Sequence, residues 1–82
     1  MKLPMPMTAE QIAGFIQGTV HGDGNARVEN VAVNPLQAKG DDIALVTDPA
    51  ILKRLEECHA RIVIVPEGTT SKKKEQVLIT VE

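Results

Sequence analysis

The chain has 82 residues, 43% of them hydrophobic, a formal charge of −2 and one aromatic residue, Phe15. A chain this short holds one domain with a modest core, and its charge supplies no general field for nucleic acid or an anionic membrane. No stretch approaches the roughly 20 apolar residues of a membrane-spanning helix. The core has to be built from Ile, Val, Leu and Ala rather than from rings. Cys58 is the single cysteine, so neither an internal disulfide nor a thiolate metal cluster is expected, which fits a reducing cytoplasm.

The opening MKLPMPM carries one lysine, two prolines and no apolar stretch of signal-peptide length. Residues 1–7 therefore read as a flexible N-terminal segment, and 8–82 as one α/β domain. Thr8 begins a capping box with Gln11, and Met7 is placed to staple onto Ile12. The spacing of Ala9, Ile12, Ala13 and Ile16, widened by Phe15, predicts an amphipathic helix from about Ala9 to Gln17. Gly14 weakens it, and Gly18 is expected to supply its left-handed stop. Thr19 to His21 reads as a brief strand, and Gly22-Asp23-Gly24-Asn25 as a hairpin-type turn. A strand from about Arg27 to Val33 follows and ends at Asn34-Pro35, because the residue before proline avoids the helical region. Leu36 to Asp42 is a loop.

The stretch from Asp42 to Pro66 contains a strand (Ile43 to Thr47), a helix start at Asp48-Pro49, helical periodicity from Ile51 to Cys58, and a second apolar strand (Arg61 to Val65). That order predicts a parallel βαβ unit, whose strand-to-helix turn is the first place to look for a ligand. Glu67 to Lys74 reads as a surface loop or short polar helix, and Val77 to Val81 as a last strand. The fold class is α/β: a small mixed sheet of about 4–5 strands, two main helices and one βαβ unit. The stop at Glu82 directly after a strand gives the expectation of a domain cut from a longer chain.

The residues that carry chemistry elsewhere have bland readings here. Gly22-x-Gly24 leads into a strand rather than a helix, so it lacks the context of a dinucleotide or phosphate loop. His21 with Asp23, and Cys58 with His59, lack the spacing of a metal site, and nothing in the sequence activates the thiol. Lys72 to Lys74 is a lysine run without the aromatic neighbours of a single-strand binding surface. No cofactor, metal or catalytic residue is expected, and the chain by itself is not read as an enzyme.

The order of segments does carry a resemblance. Thr8 to Val20, His21-Gly22-Asp23-Gly24, Val31-Ala32-Val33, Leu36-Gln37-Ala38, Gly40 to Val46, Asp48-Pro49 and Ala60 to Val65 together resemble the N-terminal domain of UDP-3-O-acylglucosamine N-acyltransferase, an enzyme of lipid A (lipopolysaccharide) biosynthesis. A related architecture stands at the front of the UDP-sugar-dependent Mur ligases, so the N-terminal domain of a Mur-ligase-like enzyme is the alternative that the resemblance leaves open. The resemblance implies a Mur-ligase-N-terminal-like fold, a cytoplasmic location and a homotrimeric parent enzyme. It also implies a UDP-acylglucosamine-type ligand recognised through its uracil. The family's catalytic histidine lies in its β-helix part, and neither His21 nor His59 corresponds to it. The substrate-binding positions map to Leu45, Asp48 and Ile51, where the family has phenylalanine, asparagine and tyrosine. Loss of those rings also gives the expectation of a second role, in which the same fold acts as an interaction or docking module.

Overall fold

A computed structural model describes residues 2–32, 34–69 and 76–81, apart from the side chain of Glu56. Six strands form one mixed sheet. In chain order they are β1 (Lys2–Thr8), β2 (Thr19–His21), β3 (Arg27–Val31), β4 (Asp42–Leu45), β5 (Ile62–Pro66) and β6 (Val77–Val81), with helices α1 (Ala9–Ile16) and α2 (Pro49–Leu52). The spatial order is β1-β3-β4-β5-β6-β2. The four inner strands run parallel, while β1 and β2 close the two edges antiparallel to β3 and β6.

Strands β5 and β6 are apolar along almost their whole length, as expected where both faces of the sheet are covered, whereas β3 also carries Arg27, Glu29 and Asn30. Side chains alternate between two clusters. Ile62 of β5 and Val77 and Ile79 of β6 pack with Ala9, Ile12 and Ala13 of α1. Val63, Val65 and Leu78 point the other way, onto Leu55, Cys58 and Ala60. Gln76, buried beside the second cluster, donates from Nε2 to the carbonyls of Cys58 (2.9 Å) and Ala60 (3.1 Å) and so ties the start of β6 to the segment before β5.

The α/β class, the mixed sheet and the parallel β4-α2-β5 unit are as the sequence indicates, with one strand more than expected. That strand is β1, which lies where a flexible segment had been expected. Its prolines disguise it: Pro4 and Pro6 cannot donate to a ladder, but an edge strand tolerates them, and the register to β3 slips between Lys2 and Met7.

Three local expectations need correction. The left-handed residue after α1 is Gln17 (φ 57°), not Gly18. A Cβ on Gly18 would stand 2.6 Å from Ile79 Cγ2 and 3.0 Å from the Thr80 carbonyl oxygen, so glycine is needed there for close approach to β6.

Gly22 to Asn25 does not join neighbouring strands, since β2 pairs with β6 while β3 pairs with β1 and β4. It passes beneath the start of α1. Ala9 N–H donates to Ala26 O (2.9 Å) and Glu10 N–H to Gly24 O (3.1 Å), which satisfies two of the amides that every helix N-terminus leaves open.

The helix after Asp48 runs only from Pro49 to Leu52, and a 3-10 turn follows at Leu55–Glu57. Leu52, Leu55 and Cys58 all contact the second cluster, and their three-residue spacing suits the tighter 3-10 coil better than an α-helix.

Candidate functional site

An open groove of about 910 Å³ lies on the α1 side of the sheet, above the ends of the central strands. Its floor comprises Val31, Ile43 and Ile64, with Leu45 at the end of β4. One wall is α1, through Ile12 and Phe15, and the other is β1, through Leu3, Met5 and Met7. Among the described residues, Gln11 is the one polar side chain of the lining, and no charged side chain contributes. This is the profile of a small-molecule pocket, mostly apolar with few polar groups.

The groove forms because local rules fix both walls. The capping box of α1 is made in full: Gln11 N–H donates to Thr8 Oγ1 (3.3 Å), and Thr8 N–H donates to Gln11 Oε1 (2.9 Å). That box turns the chain sharply from β1 into α1, with no linker between them. The bulged middle of β1 then leaves Met5 66% exposed across from Phe15, which is 80% exposed.

Leu45, Asp48 and Ile51 have three different situations. Leu45 is 59% exposed and lines the groove. Asp48 is exposed and spends its carboxylate on capping α2, with Oδ1 accepting from Ala50 N–H at 2.9 Å. Ile51 is half-buried against the cluster on the opposite face of the sheet. Of the three, only Leu45 lines the groove.

Sequence reasoning missed the wall supplied by β1, although a signal was present. Leu3, Met5 and Met7 alternate with Lys2, Pro4 and Pro6, the two-residue period of a strand with one apolar face. The spacing puts Phe15 at the margin of the apolar stripe of α1, but the buried residues are Ala9, Ile12 and Ala13, and Phe15 stands outside them.

The other reactive side chains are dispersed. His21 is exposed and Nε2 lies 3.1 Å from Thr80 Oγ1, at the β2 edge. Asp23 approaches Arg61 at 3.9 Å. Cys58 is fully buried while its neighbour His59 is exposed, so they face different surroundings. Among the described residues, no group of three or more His, Cys, Asp or Glu is placed to hold a metal ion, and no helix is long and apolar enough to cross a membrane. Lys72 to Lys74 lies outside the described residues. No protein-family model matches the chain.

Proposed function

We propose that this chain is a non-catalytic ligand-recognition domain of the kind found at the front of UDP-3-O-acylglucosamine N-acyltransferases, and that it receives the uracil of a UDP-sugar in the groove beside Leu45. The observation that carries this reading is the position of Leu45. It stands exposed at the carboxyl end of a central parallel strand, immediately before the βα turn, and α/β sheets bind ligands at that place. It also lines an apolar groove of small-molecule size. Leu45 and Phe15 offer the ring an aliphatic face and an aromatic one. Asp48, three residues on, spends Oδ1 on capping α2, where it accepts from the Ala50 N–H. In this reading the chemistry of acyl transfer belongs to other parts of a cytoplasmic, homotrimeric parent enzyme of lipid A synthesis. Saturation-transfer NMR with UDP-N-acetylglucosamine tests it. The uracil protons are expected to receive more saturation than the sugar protons, and the reverse order, or no transfer at millimolar ligand, rejects the proposal.

A second reading is supported by a separate observation. Met5, Phe15 and Leu45 are all large, apolar and more than half exposed, and a contiguous surface of that kind also suits protein docking. Here the groove is a degenerate nucleotide pocket used as a docking face. Photo-crosslinking to a protein from a photoreactive phenylalanine analogue at position 15, unaffected by UDP-N-acetylglucosamine, would favour it over ligand binding.

A further inference from the structure

We infer that α1 is a ligand-contact wall of the groove, and that the lack of a side chain at Gly14 lets a flat, uncharged group lie directly against the helix backbone. Glycine is among the poorest helix formers, yet Gly14 stands inside α1 (Ala9–Ile16). Two structural needs call for glycine in such a place, a positive φ or a close packing contact. Neither applies. Among the described residues the glycines with positive φ are Gly22 and Gly68. A Cβ built on Gly14 meets nothing within 4 Å, whereas one built on Gly18 runs into β6. Gly14 does, however, line the groove. The space that a side chain would take at this position is therefore groove space.

The neighbours of Gly14 suit an occupant. Gln11, Gly14 and Phe15 follow the i, i+3, i+4 spacing that puts residues on one face of a helix, and all three line the groove. Phe15 is 80% exposed, so its ring is open to contact. The Gln11 amide is held in place, since Oε1 accepts from Thr8 N–H at 2.9 Å. Ring and amide thus flank a strip of bare backbone at Gly14, which a planar group can approach more closely than it could over a side chain. Among the described residues no charged side chain lines the groove, and a charge buried there without a partner would be costly. The group that rests on this wall is accordingly uncharged.

The inference rests on the reading of the groove as a ligand site, and one comparison separates the two. Wild type, Gly14→Ala and Gly14→Leu are melted and titrated calorimetrically with UDP-N-acetylglucosamine. Gly14→Ala is expected to melt higher than wild type, yet to bind on the order of tenfold more weakly, because its methyl lifts the ligand off the backbone. Gly14→Leu fills the groove and is expected to abolish binding. Wild-type affinity in Gly14→Ala overturns the contact at Gly14, and loss of binding in Gly14→Leu alone then leaves the groove as the site. A lower melting temperature for Gly14→Ala also overturns the inference, since glycine would then serve the fold. Wild-type affinity in both variants, or no binding by wild type at millimolar ligand, overturns the reading of the groove together with the contact.

Discussion

Replacing Gly18 by alanine separates two explanations of why glycine follows α1. If Gly18 served as the left-handed cap, the cost of alanine would come from its backbone conformation, and asparagine, which tolerates that conformation, would be accepted. Instead Gln17 holds φ 57°, and Gly18 lies against β6. A methyl at position 18 would sit 2.6 Å from Ile79 Cγ2 and 3.0 Å from the Thr80 carbonyl. Ile79 is wholly buried between α1 and the sheet, so its methyl cannot swing into solvent. The carbonyl is fixed in the β6 backbone, which is paired to β2 at Thr19 and Thr80. The clash is therefore relieved only by moving β2 or repacking Ile79, an overpacking cost of ~1–3 kcal/mol. In a domain of this size, each 1 kcal/mol lowers the melting midpoint by roughly 4–8 °C. Urea unfolding followed by circular dichroism measures it. Gly18→Asn should be at least as damaging as Gly18→Ala, and Gln17→Gly should stabilise, because glycine adopts the left-handed region without a Cβ penalty. Gly18→Ala within about 0.5 kcal/mol of wild type, the range of an ordinary surface change, would refute the close-approach argument.

Gly14→Ala should have the opposite sign: a Cβ there meets nothing within 4 Å, so α1 gains about 1 kcal/mol of helix propensity, read as a higher melting temperature. Gln76→Glu should be destabilising at neutral pH, because it turns a carboxylate toward the Cys58 and Ala60 carbonyls. Its folded-state pKa would lie above the unfolded value, so the penalty disappears as pH falls below the unfolded carboxylate range, which melting curves at pH 4 and pH 7 would reveal. The Arg54 guanidinium holds the Glu57 carboxyl below the usual carboxylate range, chiefly through its hydrogen bond (2.6 Å). The pair's contribution is present at neutral pH and lost as pH falls through that lowered value, but both side chains are exposed and solvent screens them. Glu57→Gln should thus barely move the melting midpoint at pH 7. Leu45→Phe should leave folding intact, since position 45 is exposed, and should tighten UDP-N-acetylglucosamine by a factor of up to about ten, the equivalent of ~0.5–1.5 kcal/mol for a ring contact. Calorimetric titration of both proteins checks it.

How far the sequence can be read depends on whether local signals and tertiary demands agree. For α1 they do: Thr8 and Gln11 form the capping box and Ala9, Ile12 and Ala13 are buried. The parallel unit from Asp42 to Pro66 was likewise legible, because strands covered on both faces read as unbroken apolar runs. Where tertiary contacts decide, local rules mislead. Gly22 to Asn25 has the composition of a hairpin turn, yet its carbonyls are recruited by the first amides of α1 and its flanking strands go to distant places in the sheet. The prolines of β1 suppress a strand signal that the alternation of Leu3, Met5 and Met7 carries. Of the groove, Leu45 was reached through the family resemblance, while its walls were not legible, because Phe15 reads as part of the apolar stripe of α1 and Met5 sits in a proline-interrupted segment that reads as flexible, whereas both stand exposed. Asp48 and Ile51 follow Leu45 closely in sequence but are directed by the start of α2 to a helix cap and to the opposite face.

The claim that the groove receives a UDP-sugar is tested most directly by mapping backbone amide shifts of the ¹⁵N-labelled chain against UDP-N-acetylglucosamine. The account predicts a saturable set of shifts at Leu45, Ile12, Phe15 and Met5, around the groove, with His59 and Leu55 on the other face unmoved. Shifts confined to the opposite face, or none at millimolar ligand, would contradict it.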